Sequence, residues 1–244
     1  MIRGLYIAAT GLLAESRRQD VIANNLANAT TTGFKRSESA ASPFGDMLIT
    51  SMGTPGRPTI GRMEMGAQVN GVTRIDSQGP LRFTGNNLDL ALVGEGHFAV
   101  DAPNGRRYTR DGSFSLDAAG RIVTKEGYAV LGENGRPITL DRGEVKIAAD
   151  GTVTQGGAVR GRLDIVRLDP ASIATESESL LTGTPSGTAN ASVRQDHLES
   201  STVNVVSEMV DLIRVMRSFE SNQKAVNAQD EALQASVTRV GAVG

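Results

Sequence analysis

The fold is decided by the C-terminal stretch VVSEMVDLIRVMRSFESNQKAVNAQDEALQASVTRV, residues 205–240. Every seventh position in it is apolar, a spacing that predicts one long helix with a continuous apolar seam. The members of that seam are Val205, Leu212, Phe219, Val226, Leu233 and Val240. A second seam beside it contains Met209, Met216 and Val237. Asn204 is suited to cap the start of the helix through its side-chain oxygen. We therefore expect a helix that associates along its length with other helices.

Residues 1–30 repeat this pattern in a weaker form. Leu5, Leu12 and Leu26 lie at seven-residue spacing, and Gln19 takes the remaining step. The run of threonines that follows predicts the helix end, because β-branched residues are poor helix formers. A single amphipathic helix is marginal in water. We therefore expect the two terminal helices to pair, and neighbouring copies to cover the apolar surface left over.

The middle of the chain has two other patterns. Residues 35–75 are low in apolar residues and rich in Gly and Pro, which predicts an extended connector. Residues 76–198 alternate apolar and polar side chains, and this period of two is typical of β-strands. Turn-forming pairs divide that interval, namely Asn104-Gly105, Asp111-Gly112, Asn134-Gly135 and Asp150-Gly151. Short antiparallel strands joined by tight turns are expected there.

Together these patterns predict an α+β fold. Its N- and C-terminal α-helices are expected to pair as a coiled-coil-like bundle, with a mainly antiparallel β domain inserted between them. The predicted domains are a terminal helical assembly domain (residues 1–34 and 199–244), an extended connector (35–75) and a β domain (76–198).

The composition narrows the classes of function. Among 244 residues, 25 are basic and 27 acidic, so the net charge is −2 and no basic field is available for nucleic acid. The chain has no Cys, which excludes disulfides and Cys-based zinc sites. No apolar run approaches the roughly 18 residues of a membrane span. Charged residues from Glu15 onward argue against a cleaved signal peptide. We expect no nucleic-acid partner and no stable membrane insertion.

No group of residues has the spacing of a catalytic, cofactor or metal site. Gly94-Glu95-Gly96 begins like a dinucleotide-binding loop, but Ala99 stands where the third Gly belongs, which favours a tight β-turn. His97 and His197 lie far apart in the sequence and lack acidic residues at ligand spacing. We therefore expect a non-enzymatic protein with no cofactor and no metal.

Short motifs near both ends and in the middle of the chain indicate the protein family more specifically than the composition does. They are residues 9–14 (ATGLLA), 20–28 (DVIANNLAN), 32–36 (TGFKR), 87–98 (NLDLALVGEGHF), 108–114 (YTRDGSF), 198–206 (LESSTVNVV) and 217–220 (RSFE). In this order they resemble the signatures of flagellar basal-body rod and hook proteins. The resemblance spans nearly the whole chain, so the chain is identified as a member of the rod protein family.

The resemblance implies a structural subunit that polymerises through its terminal helices into the periplasmic drive shaft of the flagellum basal body. Residues 127–132 (GYAVLG) and 147–151 (IAADG) are most similar to a proximal-rod subunit, with a distal-rod subunit as the alternative. The implied partners are other rod and hook subunits, further copies of the chain, and the flagellar type III export apparatus, which would export it without a cleaved signal peptide. A non-polymerising periplasmic adaptor or wall-modifying protein is the remaining alternative.

The expected assembly interface combines the apolar seams with the Asn residues of the N-terminal motif. It consists of Leu5, Leu12, Ile22, Asn24, Asn25, Leu26, Asn28, Val205, Met209, Leu212, Met216, Phe219, Val226, Leu233 and Val237. Two independent alternatives stay open. The first is that the C-terminal seam serves only packing within one chain. The second is that the three Asn residues cap and loosen the end of the first helix instead of contacting neighbours.

Overall fold

The computed structural model of the chain divides into two compact units. Unit 1 contains residues 1–27, 37–75 and 204–244, and unit 2 contains residues 28–36 and 76–203. The structure describes residues 2–43, 46–50, 59–64, 67–141, 143–177 and 179–241. Side chains are described for residues 4–40, 71–141, 143–177 and 179–238, so Val240 of the predicted seam lies outside them.

Unit 1 contains two long helices, α1 (Ile2–Ala27) and α2 (Val205–Gly241). The predicted cap of α2 is confirmed. Asn204 Oδ1 accepts hydrogen bonds from the backbone N–H groups of Val206 at 3.1 Å and Ser207 at 3.2 Å. α1 ends before the threonine run, as a hydrogen-bonded turn follows it directly.

The two helices lie against each other in opposite directions. The neighbouring pairs are Gly4 with Gln229, Gly11 with Asn222, Glu15 with Ser218, and Asn25 with Glu208. Residue numbers rise along α1 as they fall along α2, so the helices are antiparallel. Steps of seven residues on α1 are matched by equal steps on α2, which keeps one register along the pair. The predicted terminal helices are confirmed, whereas their coiled-coil-like packing stays a prediction.

Within the described residues, unit 1 also contains four strands. They are β1 (Ser37–Pro43), β2 (Asp46–Thr50), β3 (Thr59–Glu64) and β4 (Ala67–Arg74). β1 pairs with β4, and β2 pairs with β3, both antiparallel. The interval predicted as a connector therefore contains hydrogen-bonded strands, because pairing satisfies the backbone groups of an extended chain. Residues 44–45, 51–58 and 65–66 of that interval lie outside the described residues. The predicted domain boundaries stay a prediction.

In its described residues, unit 2 is built from short strands and one 3-10 turn (Pro170–Ser172). The strands are β5 (Leu81–Phe83), β6 (Leu90–Val93), β7 (His97–Ala102), β8 (Gly105–Thr109), β9 (Ser115–Leu116), β10 (Ile122–Val123), β11 (Ala129–Val130), β12 (Val145–Ile147), β13 (Thr152–Gln155), β14 (Ala158–Arg162), β15 (Ile165–Leu168), β16 (Ala174–Thr175), β17 (Leu180–Thr182), β18 (Pro185–Thr188), β19 (Ser192–Gln195) and β20 (His197–Glu199). The largest sheet has the order β16-β17-β8-β7-β11-β10-β9, and β15 joins it beside β7 with β18 outside β15. Smaller sheets pair β12-β13-β14, β19-β6 and β20-β5. These pairings are antiparallel, which confirms the mainly antiparallel β region.

The core of unit 2 lies on both sides of the hairpin formed by β7 and β8. Phe98 and Val100 are fully buried in one apolar cluster, and Ala99 is fully buried in another. This alternation is the predicted period of two. The rings of Phe98 and Phe114 meet edge to face at 5.1 Å between centroids. Gly105 closes the hairpin with a φ of +97°, as its Asn-Gly pair predicts.

Candidate assembly interface

The predicted interface residues of unit 1 fall into an inner and an outer set. The inner set is half-buried or buried: Leu5, Leu12, Ile22, Leu26, Leu212, Phe219, Val226 and Leu233. Near the middle of α2, Val215 is also buried on this face, although the sequence analysis did not select it. The covered column on α2 runs through Glu208, Val215 and Asn222 at seven-residue spacing. Packing within one chain therefore uses the first predicted seam from Leu212 to Leu233 together with this unpredicted column, and it leaves the described members of the second predicted seam exposed.

The outer set is solvent-exposed. It comprises Val205, Met209, Met216 and Val237 from the predicted interface, and Val206, Val210 and Ile213, which the sequence analysis missed. We call Val206, Met209, Val210, Ile213 and Met216 the outer stripe. Its members are three or four residues apart, so they lie on one side of the first turns of α2. These residues would have been identified by searching for apolar residues at spacings of three, four and seven positions, instead of at every seventh position only.

A second exposed apolar patch lies on α1. It consists of Tyr6, Ile7 and Leu13, and Leu13 is 69 % exposed. By the register of the helix pair, this patch lies beside α2 near Asn222, whereas the outer stripe lies beside the C-terminal half of α1. The outer stripe and the α1 patch are therefore at opposite ends of the helix pair.

The three Asn residues of the predicted interface have different surroundings. Asn25 is 1 % exposed, and its amide group donates to the Ser37 carbonyl at 2.8 Å and to Glu208 Oε2 at 3.3 Å. Its Oδ1 accepts from the Ser37 N–H at 2.9 Å. Asn28, in unit 2, is buried and accepts from the Thr31 hydroxyl at 3.1 Å. Asn24 is exposed. Buried intramolecular bonds favour a structural role for Asn25 and Asn28, and contacts to neighbours stay a prediction.

Replacing Asn25 with Ala should destabilise unit 1. The Ser37 backbone would lose both of its bonds to this side chain and Glu208 would lose a donor, and unmade bonds at buried groups cost about 1–3 kcal/mol each. We expect the urea midpoint, followed by far-UV circular dichroism, to fall clearly. Asn24→Ala at the neighbouring exposed position is the control and should lower the midpoint less, because water can replace the partner of an exposed side chain. Equal shifts for the two variants would contradict the structural role of Asn25.

A buried ion cluster in unit 2 was not predicted from the sequence. Lys35 Nζ lies 2.5 Å from Glu199 Oε1, and Arg110 Nε lies 2.6 Å from Glu199 Oε2. Their side chains are between 1 % and 6 % exposed. The Gly79 N–H donates to the same carboxylate at 2.7 Å. Arg110 also donates to the carbonyls of Leu92, Gly94 and Gly96.

The cluster brings together three of the sequence motifs. Lys35 belongs to TGFKR, Arg110 to YTRDGSF and Glu199 to LESSTVNVV. Their separation in the sequence hid the cluster, since Lys35 and Glu199 are 164 positions apart. The one available signal was that each motif contains a charged residue. The three motifs, which are distant in the sequence, therefore each contribute one side chain to the same buried cluster.

The charge state of Glu199 depends on these partners. Burial opposes its ionisation, but the charge of Arg110 and the hydrogen bonds from Lys35, Arg110 and the Gly79 N–H outweigh it. The pKa of the Glu199 carboxyl is accordingly lowered from its ordinary value. At neutral pH the cluster thus contains an ionised carboxylate between two cations.

A small cleft of about 280 Å³ lies beside the cluster. Its lining includes Lys35, Arg110, His97, Asp76 and Glu95. Gly94, at a φ of +103°, lies in the short connection between β6 and β7, where the sequence analysis expected a tight β-turn in place of a dinucleotide loop. Within the described part of the chain, no three His, Asp or Glu residues are grouped to hold a metal ion. Nor does any described helix have the length and apolarity to cross a membrane.

Comparison with known proteins identifies related chains. Residues 5–35 match the family described as flagella basal body rod protein, residues 91–155 the flagellar hook protein FlgE/F/G D1 domain, and residues 194–239 the flagellar basal body rod FlgEFG protein C-terminal family. Flagellar basal-body rod protein FlgF of Caulobacter vibrioides is 36 % identical over 251 residues, covering 100 % of both chains. FlgG proteins of Agrobacterium fabrum and Bacillus subtilis are each 34 % identical, covering 94 % and 96 % of this chain and 96 % and 97 % of their own.

Proposed function

The chain belongs to the flagellar basal-body rod protein family, and from that premise we propose that it polymerises into the rod through its terminal helices. The FlgF-like, proximal-rod assignment is favoured, because a relative of that name matches the whole chain. The FlgG-like, distal-rod assignment is the alternative, since FlgG relatives are nearly as similar. The family is structural, which fits a subunit without catalytic activity.

The observation that carries this proposal is the outer stripe of α2. Five apolar side chains lie exposed on one helix face, and Val206 is 72 % exposed. A contiguous exposed apolar face is typical of a surface that contacts another protein. The proposed occupant is a helix of the next rod subunit, either another copy of this chain or a different rod or hook subunit.

The positions of the two exposed patches support open-ended growth. The outer stripe and the α1 patch are different surfaces at opposite ends of one antiparallel pair. A contact between the stripe of one subunit and the α1 patch of the next would be heterologous. Heterologous contacts extend into a helical filament when their rotation does not close. We propose, from family membership, that this filament lies in the periplasmic part of the basal body.

The interface proposed from the sequence then serves two purposes. Its inner members pack α1 against α2, and its outer members, with the stripe residues added, contact neighbours. We also propose that the flagellar type III apparatus exports the chain without cleaving a signal peptide. This part of the proposal rests on family membership alone.

Deletion of residues 205–241 tests the proposal. In a strain that lacks the chromosomal copy, the full-length chain should restore motility and rod assembly, whereas the truncated chain should restore neither. Loss is expected because the outer stripe and the partner of α1 are both removed. An equal amount of truncated protein in the cell, measured by immunoblot, controls for degradation. Motility restored by the truncated chain would refute polymerisation through the terminal helices.

A further inference from the structure

The ion cluster of Lys35, Arg110 and Glu199 joins three distant parts of unit 2. Lys35 lies in the segment that follows α1 in the chain, Arg110 directly follows β8, and Glu199 ends β20. All three side chains are almost completely buried. A buried charge is costly unless it is paired and hydrogen-bonded, so each member depends on the others.

Backbone bonds hold the same segments together. The Gly33 N–H donates to the Glu199 carbonyl at 2.8 Å, and the Thr202 N–H donates to the Phe34 carbonyl at 3.1 Å. The Arg36 N–H donates to the Thr202 hydroxyl at 2.9 Å. Residues 33–36 are therefore hydrogen-bonded along residues 199–202, the last part of unit 2 in chain order.

The three charges are not equivalent. Two are positive and one is negative, and the negative one lies between the others. Without Glu199, Lys35 and Arg110 would be buried side by side as like charges, which destabilises both. Without Lys35, the Arg110–Glu199 pair would remain neutral, and Arg110 would keep its carbonyl acceptors. Loss of Glu199 is therefore the most damaging single change in the cluster.

We propose that Glu199 is required for unit 2 to fold. Without its negative charge, the repulsion between the buried cations Lys35 and Arg110 would prevent residues 33–36, 110 and 199–202 from packing together. Unit 2 then gains its stability only when residues 199–202, next to the start of α2 in the chain, have taken their places. This device acts within one chain, so it does not rest on the proposed polymerisation.

A double-mutant cycle on the full-length chain tests this proposal. The variants are Glu199→Gln, Lys35→Met and the two combined, and unfolding in urea is followed by near-UV circular dichroism of Tyr108 and Tyr128. Glu199→Gln should lower the folding equilibrium constant on the order of a hundredfold or more, since one partner of a buried pair is lost. Lys35→Met alone should lower it by roughly tenfold, because the bonds from Lys35 to Glu199 and to the Ser77 carbonyl are lost while the remaining Arg110–Glu199 pair is neutral.

The test depends on the sign of the stability change that Lys35→Met causes in each background. Lys35→Met should destabilise the wild type but leave the Glu199→Gln variant unchanged or more stable, because it removes one of two unbalanced cations. If Glu199→Gln alone does not fold, recovery of folding in the double variant supports the proposal. Additive losses, or a double variant that stays unfolded, would overturn it.

The pH dependence of the stability loss in Glu199→Gln is a second readout, because a loss of packing alone would not produce it. The groups around Glu199 are Lys35 and Arg110, with Asp76, His97 and Glu95 lining the adjacent cleft. Because the pKa of Glu199 is lowered in the folded chain, its contribution is present above the unfolded pKa of about 4.3 and is lost as the pH falls through the folded value. The difference in folding equilibrium constant between wild type and Glu199→Gln should therefore shrink in acid. A difference that stays constant with pH would overturn the proposal.

Discussion

Replacing Ile213 with Glu should abolish incorporation of the chain into the rod while leaving the isolated subunit folded. Ile213 lies in the middle of the outer stripe and is 52 % exposed in the single chain. A carboxylate there stays hydrated in the free subunit, so its stability should change by no more than about 0.5 kcal/mol. In an assembled rod the same carboxylate would be buried without a partner, which costs several kcal/mol. Motility of a complemented deletion strain and sedimentation of isolated rods measure the effect.

Asn227→Asp is the matched control for this variant. Asn227 is exposed on the same helix but outside the outer stripe, and the residues three and four positions away are polar, so it receives the same added charge in a polar setting. Motility and rod assembly should be retained with Asn227→Asp. The proposed interface would be wrong if Ile213→Glu assembled normally, or if both variants failed alike. Unchanged far-UV circular dichroism of both proteins separates an assembly defect from unfolding.

Gly112→Ala should strongly destabilise unit 2. A Cβ at Gly112 would overlap the carbonyl oxygen of Leu90 and would lie 2.7 Å from the carbonyl carbon. The obstacle is backbone, and Leu90 also donates its N–H to the Gly112 carbonyl at 3.0 Å, so neither segment can move without losing that bond. Leu90 is 1 % exposed in the core. We expect a loss of at least about 3 kcal/mol, at the upper end of the usual cost of overpacking.

Gly135→Ala separates this clash from the general cost of replacing glycine. Gly135 has a φ of +70°, and nothing lies within 4 Å of the position a Cβ would take. An Ala there should cost only about 1–2 kcal/mol for its left-handed backbone conformation. Urea unfolding followed by the near-UV signal of Tyr108 and Tyr128 compares the two variants. Comparable losses would show that close approach to Leu90 is not the reason for Gly112.

Local patterns in the sequence were sufficient to predict both terminal helices and the strand character of residues 76–198. The seven-residue series predicted α2, and Asn204 predicted where it begins. The alternation around Phe98 predicted a strand, and Asn104-Gly105 predicted the turn of its hairpin. Each of these features depends on neighbours in the sequence, because helix and strand place side chains at fixed periods of 3.6 and 2 residues.

The interval 35–75 shows where local patterns were insufficient. Its glycines and prolines indicated breaks in regular secondary structure, but they did not indicate that β1 pairs with β4. Strand pairing depends on a partner that is distant in sequence, and few apolar residues mark the register in this interval. The paired strands were therefore visible only in the structure.

By itself, the sequence determined that both ends are amphipathic helices, that antiparallel strands lie between them, and that the chain resembles rod proteins. Only the tertiary structure decided which seam is covered, because Leu212 and Met209 are both apolar and the register with α1 covers the first and exposes the second. It also decided that Lys35, Arg110 and Glu199 share one buried site. Periodicity is a property of neighbouring residues, whereas burial and charge pairing depend on contacts that exist only after distant segments have packed together.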